Sequence, residues 1–343
     1  MGHVRRPVIL SLTSMRDEGL ALLRANGELR FASSLDPEIL HDEIRDADAL
    51  VVRTAGTIDA PLMDAAPRLR VIGRHGVGYD QIDVDAATNR GIQVVYTPGA
   101  NTESVAEHTI AFLIGLAKNF PQQMLALAEG RYNDRTKLVG HDLKGKTLGI
   151  IGFGRIGRRL SEIAHIGLGM RILYNDIVAA PLKVETHVAA HRVGLVELIG
   201  QSESVSLHVP LDRATHHMIN RETIARMRAG ALLVNTCRGP VVDERAVAEA
   251  LDCGQLGGYA ADVFEVEPPP SDHPLVGRTD CILTPHSAAQ TMESLINMAR
   301  GVAEDVIAVL HGELPRNPVN DPAEVAVNRR RRMPLPPGDS RVM

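Results

Sequence analysis

The run GFGRIG, from Gly152 to Gly157, constrains this chain more than any other feature. Three glycines at that spacing also suit a surface turn, and glycine fills 30 of the 343 positions. The flanks decide the reading. An apolar stretch (147–151) leads in, an amphipathic one (158–166) leads out, a second apolar run (170–174) follows, and Asp176 stands just past it. Strand, glycine turn, helix, strand and acid make the βαβ unit that holds a dinucleotide. Gly152 permits the tight turn, Gly154 lets the backbone approach a pyrophosphate, and Gly157 lets helix and strand pack closely. The pyrophosphate charge then meets free N–H groups at the helix N-terminus.

Asp176 narrows the cofactor. A carboxylate at the end of the second strand accepts both ribose hydroxyls of NAD. It repels the 2′-phosphate of NADP by on the order of a few kcal/mol at an effective dielectric near 20. The residues that follow directly are Ile177, Val178 and Ala179, so no adjacent cation would neutralise that phosphate. NAD is the expected cofactor.

A chain of 343 residues exceeds one small core and implies two domains. Its 44% hydrophobic and 23% charged residues are those of an ordinary globular protein, and a net charge of −5 argues against a nucleic-acid partner. Apolar runs fall well short of the roughly 20 residues a membrane span needs. Cys237, Cys253 and Cys281 are odd in number and lack any CxxC, so neither a disulfide framework nor a metal site is expected. A reducing, cytoplasmic setting fits.

Two α/β series follow one another. Strands are expected at 8–12, 49–52, 69–72 and 92–95, with helices at 17–26, 37–45 and 61–66 between them. Residues 102–127 read as one long helix that Pro121 kinks or divides. Residues 130–146 look like a connector. The second series has strands at 148–151, 171–174, 204–208, 231–235, 258–262 and 281–283, and a terminal helix at 292–310. The fold class is α/β, with two Rossmann-like, doubly wound parallel-sheet domains. The run Arg329–Arg332, followed by Pro334, Pro336 and Pro337, reads as a solvated, disordered tail.

Three residues near strand ends of the second series form an acid–base constellation: Arg238, Glu267 and His286. Ligands in open α/β sheets bind outside the carboxyl ends of strands. Oxidising a hydroxyl with NAD needs a base for its proton while hydride leaves the same carbon, and imidazole exchanges a proton near neutral pH. A carboxylate would orient that imidazole, and a guanidinium would grip a substrate carboxylate in bidentate fashion.

Those residues sit in LVNTCRG (233–239), Glu267-Pro268 and TPH (284–286), and the chain also carries GRHGVGYDQID (73–83), NTESVAEH (101–108), LHVPL (207–211), ADVF (261–264) and NPVN (317–320). Together with GFGRIG they make the chain resemble the D-isomer-specific 2-hydroxyacid dehydrogenases, in their phosphoglycerate dehydrogenase and hydroxypyruvate/glyoxylate reductase branches. The resemblance implies that His286 is the general acid/base, Glu267 its partner and Arg238 the substrate-carboxylate anchor. Backbone N–H groups of Val77 and Gly78 would meet the same carboxylate. It places Arg155 and Ile156 on the pyrophosphate and Asp176 on the ribose. Val209, Thr236, Cys237, Asp262 and Ala288 would lie along the nucleotide, with Thr109 near the nicotinamide.

It further implies a discontinuous, flavodoxin-like substrate-binding domain (1–98 plus 291–325), an NAD-binding Rossmann domain (99–290), a cleft between them and a homodimer. Residues 326–343 are left as the tail. The substrate would be a small 2-hydroxy or 2-keto acid. Arg53 and Arg74 could bind a substrate phosphate or could be surface or carboxylate-positioning residues. Gln81 replaces the family's usual Asn, and Cys237 stands where Ala or Ser is commoner, as a packing residue or an oxidisable thiol. Formate-type relatives carry Gln at the position of Glu267, and phosphite-type relatives carry Lys in the segment of His75 and Gly76. An NAD-sensing, corepressor-like binding protein is the alternative from another functional class.

Overall fold

Short aliphatic runs closed by turn residues become the strands of the first unit. The computed structural model describes residues 5–53 and 56–332, and the chain divides into two units, Met1–Asn101 with Thr291–Met343, and Thr102–Gln290. In the first unit, β1 (Val8–Ser11), α1 (Asp17–Asn26), β2 (Glu28–Phe31), α2 (Pro37–Glu43) and β3 (Ala49–Val52) come first. They are followed by α3 (Ala60–Ala65), β4 (Val71–Arg74), α4 (Val84–Asn89) and β5 (Gln93–Val95). The sheet is parallel in the order β2-β1-β3-β4-β5. Asp36, Asp59 and Asp83 cap α2, α3 and α4 with their carboxylates, a main reason those short helices start where they do. Strand β2 was not expected from sequence: Glu28 and Arg30 break its apolar character, as an edge strand allows. The strand expected at 69–72 begins instead at Val71.

The second unit opens with α5 (Thr102–Ala117) and α6 (Phe120–Ala128). The expected long helix is thus divided, with Asn119 at φ 55° and a proline in the first turn of α6. Then come β6 (Thr147–Ile151), α7 (Arg155–Glu162), β7 (Arg171–Asn175), α8 (Leu182–His187), β8 (Ala190–Arg192) and α9 (Leu195–Gln201). The unit ends with β9 (Ser204–Leu207), α10 (Arg221–Ala225), β10 (Ala231–Asn235), α11 (Glu244–Asp252), β11 (Leu256–Ala261) and β12 (Cys281–Leu283). The seven strands are parallel in the order β12-β11-β10-β9-β6-β7-β8. The chain runs outward from β6 through β7 to β8, then returns to β9 on the other side of β6. That reversal opens a crevice at the carboxyl end of β6, where ligands of such sheets sit. Two apolar layers, one around Leu198, Val205 and Leu233 and one around Leu113, Ile150 and Tyr174, cover the sheet.

The chain then returns to the first unit as α12 (Met292–His311) and α13 (Pro322–Arg332). Helix α12 lies against α1 and β4, so closely that a Cβ on Gly73 would stand 2.5 Å from Val306. Asn320, from the NPVN run, accepts the Val94 N–H at 2.8 Å and donates to the Ile92 carbonyl at 3.0 Å.

The expectation of a disordered tail is corrected over residues 326–332, which are helical. Arg329 donates to the carbonyls of Gly91 (2.8 Å) and Arg70 (2.7 Å), and Arg332 to those of Arg90, Met63 and Ala66 (each 3.3 Å). Several of these carbonyls close α3 and α4, where unsatisfied oxygens and the helix dipole favour a cation. Burial lowers Arg329 to about 10. Residues 333–343, including the prolines, lie outside the described residues. Among the described residues no helix is long and apolar enough to cross a membrane.

Candidate active site

The glycines after β6 are required by contact as well as by turn geometry. Gly152 has φ +92°, and a Cβ on it would stand 2.3 Å from the His208 carbonyl oxygen. A Cβ on Gly157 would stand 2.3 Å from the Gly152 oxygen, so helix and strand meet there with no room for a side chain. Around Gly154, by contrast, the space a Cβ would enter is open. Helix α7 starts at the next residue with no side-chain cap, which leaves the N–H groups of Arg155, Ile156 and Gly157 for an anion. Asp176 follows β7 by one residue. Its carboxylate accepts from the N–H groups of Phe153 (2.6 Å) and Val178 (2.9 Å), which ties the glycine turn to the acid. This donor and acceptor set fits a dinucleotide. Sequence adjacency showed no cation beside Asp176, but the sheet brings Arg192 from β8, which donates to the carbonyls of Asp176 (2.8 Å) and Ile177 (3.3 Å). Asn175, just before Asp176, donates to the Val193 carbonyl at 2.9 Å.

The loops after β10, β11 and β12 bring Arg238, Glu267 and His286 into one constellation. His286 Nδ1 lies 2.8 Å from Glu267 Oε2, and both side chains are about two-fifths exposed. Glu267 also accepts the Phe264 N–H at 3.1 Å. Partial burial works against its charge, but the His286 hydrogen bond and the nearby Arg238 hold it below the ordinary carboxylate value. Arg238 donates to the Cys237 carbonyl at 2.6 Å, and Asn235 donates to the Arg238 carbonyl at 2.8 Å. Gly239 explains how two loops come so close. A Cβ there would stand 1.9 Å from the backbone C and O of Phe264. Gly239→Ala is therefore expected to push the Arg238 loop off the Glu267 loop, costing about 1–3 kcal/mol of stability. In steady-state kinetics its KM for a keto acid should rise while the Kd for NADH changes little. Unaltered kinetics and melting temperature would show that the loops do not need this contact.

Asp262, assigned to the nucleotide from sequence, has a role that was not legible. Its side chain, 2% exposed, accepts from Thr284 Oγ1 (2.5 Å) and from the N–H groups of Ser287 (2.7 Å) and Ala288 (2.8 Å). Its carbonyl accepts the His286 N–H at 2.8 Å. Four bonds from one residue hold His286 at φ 51°, a left-handed conformation that costs a non-glycine residue on the order of 1–3 kcal/mol. His108 completes the ring, its Nε2 3.1 Å from Thr284 Oγ1. Burial lowers its pKa, with the Asp262 charge opposing.

Behind Glu267, His273 Nε2 bonds Glu244 Oε2 at 2.8 Å, with side chains only 7% and 5% exposed. His273 Nδ1 accepts the Leu275 N–H at 3.3 Å, which leaves Nε2–H as the donor to Glu244. Burial raises Glu244 above its ordinary value, and the His273 bond offsets only part of that. Neither residue was singled out from sequence.

The remaining assigned residues divide between the two units. Thr109 is fully buried, with its hydroxyl on the Val105 carbonyl (2.8 Å) and 3.2 Å from Thr236 Oγ1. Val209 follows β9, at the same end of the sheet. Cys237 is buried, its thiol donates to Asn235 Oδ1 at 3.1 Å, and burial raises its pKa. That environment supports the packing reading over a reactive thiolate. Arg53, Arg74, Val77 and Gly78 belong to the first unit. Arg74 is 7% exposed and donates to the carbonyls of His75 and Gly78, so it braces the 75–78 loop. Gln81 donates to the Arg53 carbonyl, a bond that holds the loop after β3 to the loop after β4.

This geometry agrees with what the chain is similar to. Residues 110–288 match the family model described as D-isomer specific 2-hydroxyacid dehydrogenase, NAD binding domain. A glyoxylate reductase of Korarchaeum cryptofilum is 39% identical over 321 residues, covering 92% of this chain and 96% of that protein. A D-3-phosphoglycerate dehydrogenase of Methanocaldococcus jannaschii is 41% identical over 315 residues, but the match spans 59% of its length. The crystal structure of D-lactate dehydrogenase from Aquifex aeolicus, complexed with NAD and lactic acid, superposes with a TM-score of 0.82 at 30% identity, covering 91% of this chain and 98% of that one. The chain belongs to the D-isomer specific 2-hydroxyacid dehydrogenase family and is an NAD-dependent oxidoreductase.

Proposed function

We propose that this chain interconverts a small D-2-hydroxy acid and its 2-keto acid, with His286 as general acid/base, Glu267 as its partner and Arg238 as the substrate-carboxylate anchor. The observation that carries the reading is the 2.8 Å bond between His286 Nδ1 and Glu267. That bond commits one ring nitrogen to the carboxylate and leaves Nε2 to exchange a proton with substrate. Bound NAD supplies the hydride acceptor, or as NADH the donor. In oxidation the hydroxyl proton passes to Nε2, and the imidazolium that forms is stabilised by Glu267. In reduction Nε2–H protonates the developing alkoxide. Arg238 grips the carboxylate and so fixes which face of the 2-carbon is presented. The first unit is proposed as the substrate-binding domain, with N–H groups of Val77 and Gly78 meeting the substrate carboxylate. A homodimer in the cytoplasm is part of the same proposal, resting on the family resemblance.

The test is oxidation of NADH, followed at saturating cofactor, with glyoxylate, hydroxypyruvate, phosphohydroxypyruvate and pyruvate. At least one should give turnover, and NADPH should be the poorer donor because of the Asp176 carboxylate. No turnover with any 2-keto acid would overturn the reading.

A further inference from the structure

Past Val209, the loop between β9 and α10 holds no residue assigned to substrate or cofactor, yet it is tightly built. Thr215 Oγ1 donates to the Pro210 carbonyl at 2.7 Å and accepts the Asp212 N–H at 2.8 Å, which closes the loop on itself. Near its end stands His217 with φ 48°, in the left-handed region that residues other than glycine seldom occupy. Such a conformation persists only where the surroundings over-determine it. The His217 N–H donates to the Pro240 carbonyl at 2.8 Å, and its own carbonyl accepts from Asn220 Nδ2 at 3.0 Å. Its ring Nε2 bonds Glu265 Oε1, with both side chains about a third exposed. A carboxylate only accepts, so Nε2 carries the hydrogen. The His216 ring stacks on the His217 ring, with centroids 4.2 Å apart, and steadies its orientation.

The partners of His217 lie on the two loops that carry Arg238 and Glu267. Pro240 is two residues past Arg238, and Glu265 is two residues before Glu267. Ile219 continues the contact: its N–H donates to the Val241 carbonyl at 3.1 Å, and its carbonyl accepts the Asp243 N–H at 2.8 Å. Residues 217–219 thus run as a short extra strand beside the segment that follows Arg238. The loop of Glu265 is the firmer side, because Phe264 meets His273 edge-on and abuts Gly239. We propose that His217 is a positioning residue for Arg238. Its ring takes hold of the Glu265 carboxylate, its N–H holds the Pro240 carbonyl, and together they set how the guanidinium meets the substrate carboxylate. All of these residues belong to the second unit. The inference rests on the function proposed above, in which Arg238 is the carboxylate anchor.

The test compares wild type, His217→Gly, His217→Gln, Glu265→Ala and the His217→Gly/Glu265→Ala pair. It measures kcat and KM for the keto acid that the wild type reduces best, and the Kd of oxamate on NADH-loaded enzyme. Oxamate carries the carboxylate of a 2-keto acid on an amide that NADH does not reduce. His217→Gly removes the ring and relieves the left-handed backbone, so its melting temperature should change little. Its KM and oxamate Kd should nevertheless rise about three- to tenfold, the size of one hydrogen bond, with kcat and the Kd for NADH within about twofold. His217→Gln keeps an N–H donor at similar reach and should recover most of the loss. Glu265→Ala should reproduce it, and the pair should be no worse than the poorer single variant. Oxamate binding needs no turnover, so a wild type that binds it without reducing any keto acid would sink the general reaction and leave the role of His217 measurable. A wild type that turns over, with unaltered KM and oxamate Kd in His217→Gly, would overturn the positioning role and leave the reaction standing. Equal losses in His217→Gly and His217→Gln, or losses that multiply in the pair, would overturn it too.

Discussion

His286→Ala should lower kcat for keto-acid reduction by about 10²–10⁴-fold, the range of acid–base contributions, while the Kd for NADH stays within about twofold. The expectation follows from how much of the second unit holds one ring in place. The Asp262 carboxylate secures Thr284, Ser287 and Ala288, its carbonyl takes the His286 N–H, and Glu267 takes Nδ1. None of these bonds uses Nε2. Alanine would remove the proton carrier and leave the loop clamps in place. Glu267→Gln gives a graded companion. Removing the carboxylate takes away the partner that orients the ring through Nδ1 and stabilises the imidazolium formed in the reaction. The kcat should therefore fall, by less than in His286→Ala, while the Kd for NADH again stays within about twofold. Steady-state kinetics beside the alanine variant reads this directly. A His286→Ala enzyme that retains more than about a tenth of wild-type kcat would remove the ring from the acid–base role.

What could be read from the sequence was whatever is decided by neighbours along the chain. Gly152, Gly154 and Gly157 serve a turn, a close approach and a packing contact within six residues, so their spacing carries the meaning. Strand and helix alternation, and with it the parallel fold class, is local for the same reason. Glu267 and His286 are 19 residues apart, and strand-end placement with the resemblance to a family grouped them before their 2.8 Å bond was seen. The contacts that stayed hidden are those between residues distant in sequence. Arg192 reaches Asp176 because β8 lies beside β7. Arg329 and Arg332 look like a solvated run, yet their acceptors are carbonyls more than 230 residues earlier. Asp262 reads as a strand-end acid, whereas its acceptor capacity is spent on backbone N–H groups that no side-chain pattern encodes.

His273→Ala should destabilise the second unit by about 3 kcal/mol or more, because it strips the partner from a carboxyl group that has almost no access to water. Glu244 begins α11, and its Oε1 already lacks a hydrogen bond, so the His273 contact is its main compensation among side chains. The pair also fixes the segment that carries Glu267. The Phe264 ring meets the His273 ring edge-on, with centroids 5.5 Å apart, and Phe264 N–H is one of the donors to Glu267. Stability and catalysis should therefore fall together, with kcat reduced even at temperatures where the variant remains folded. Urea unfolding measures the first effect and single-turnover kinetics the second. A charge-removing second change separates the pair from simple loss of volume. In His273→Ala/Glu244→Gln the buried carboxylate is gone, so part of the destabilisation should be recovered despite the same cavity. If the double variant is instead less stable by the sum of the two single effects, the two groups are not coupled. Glu267 would then owe its place to the Gly239 contact and to Phe264 packing alone, and the rear anchor would have no part in the chemistry.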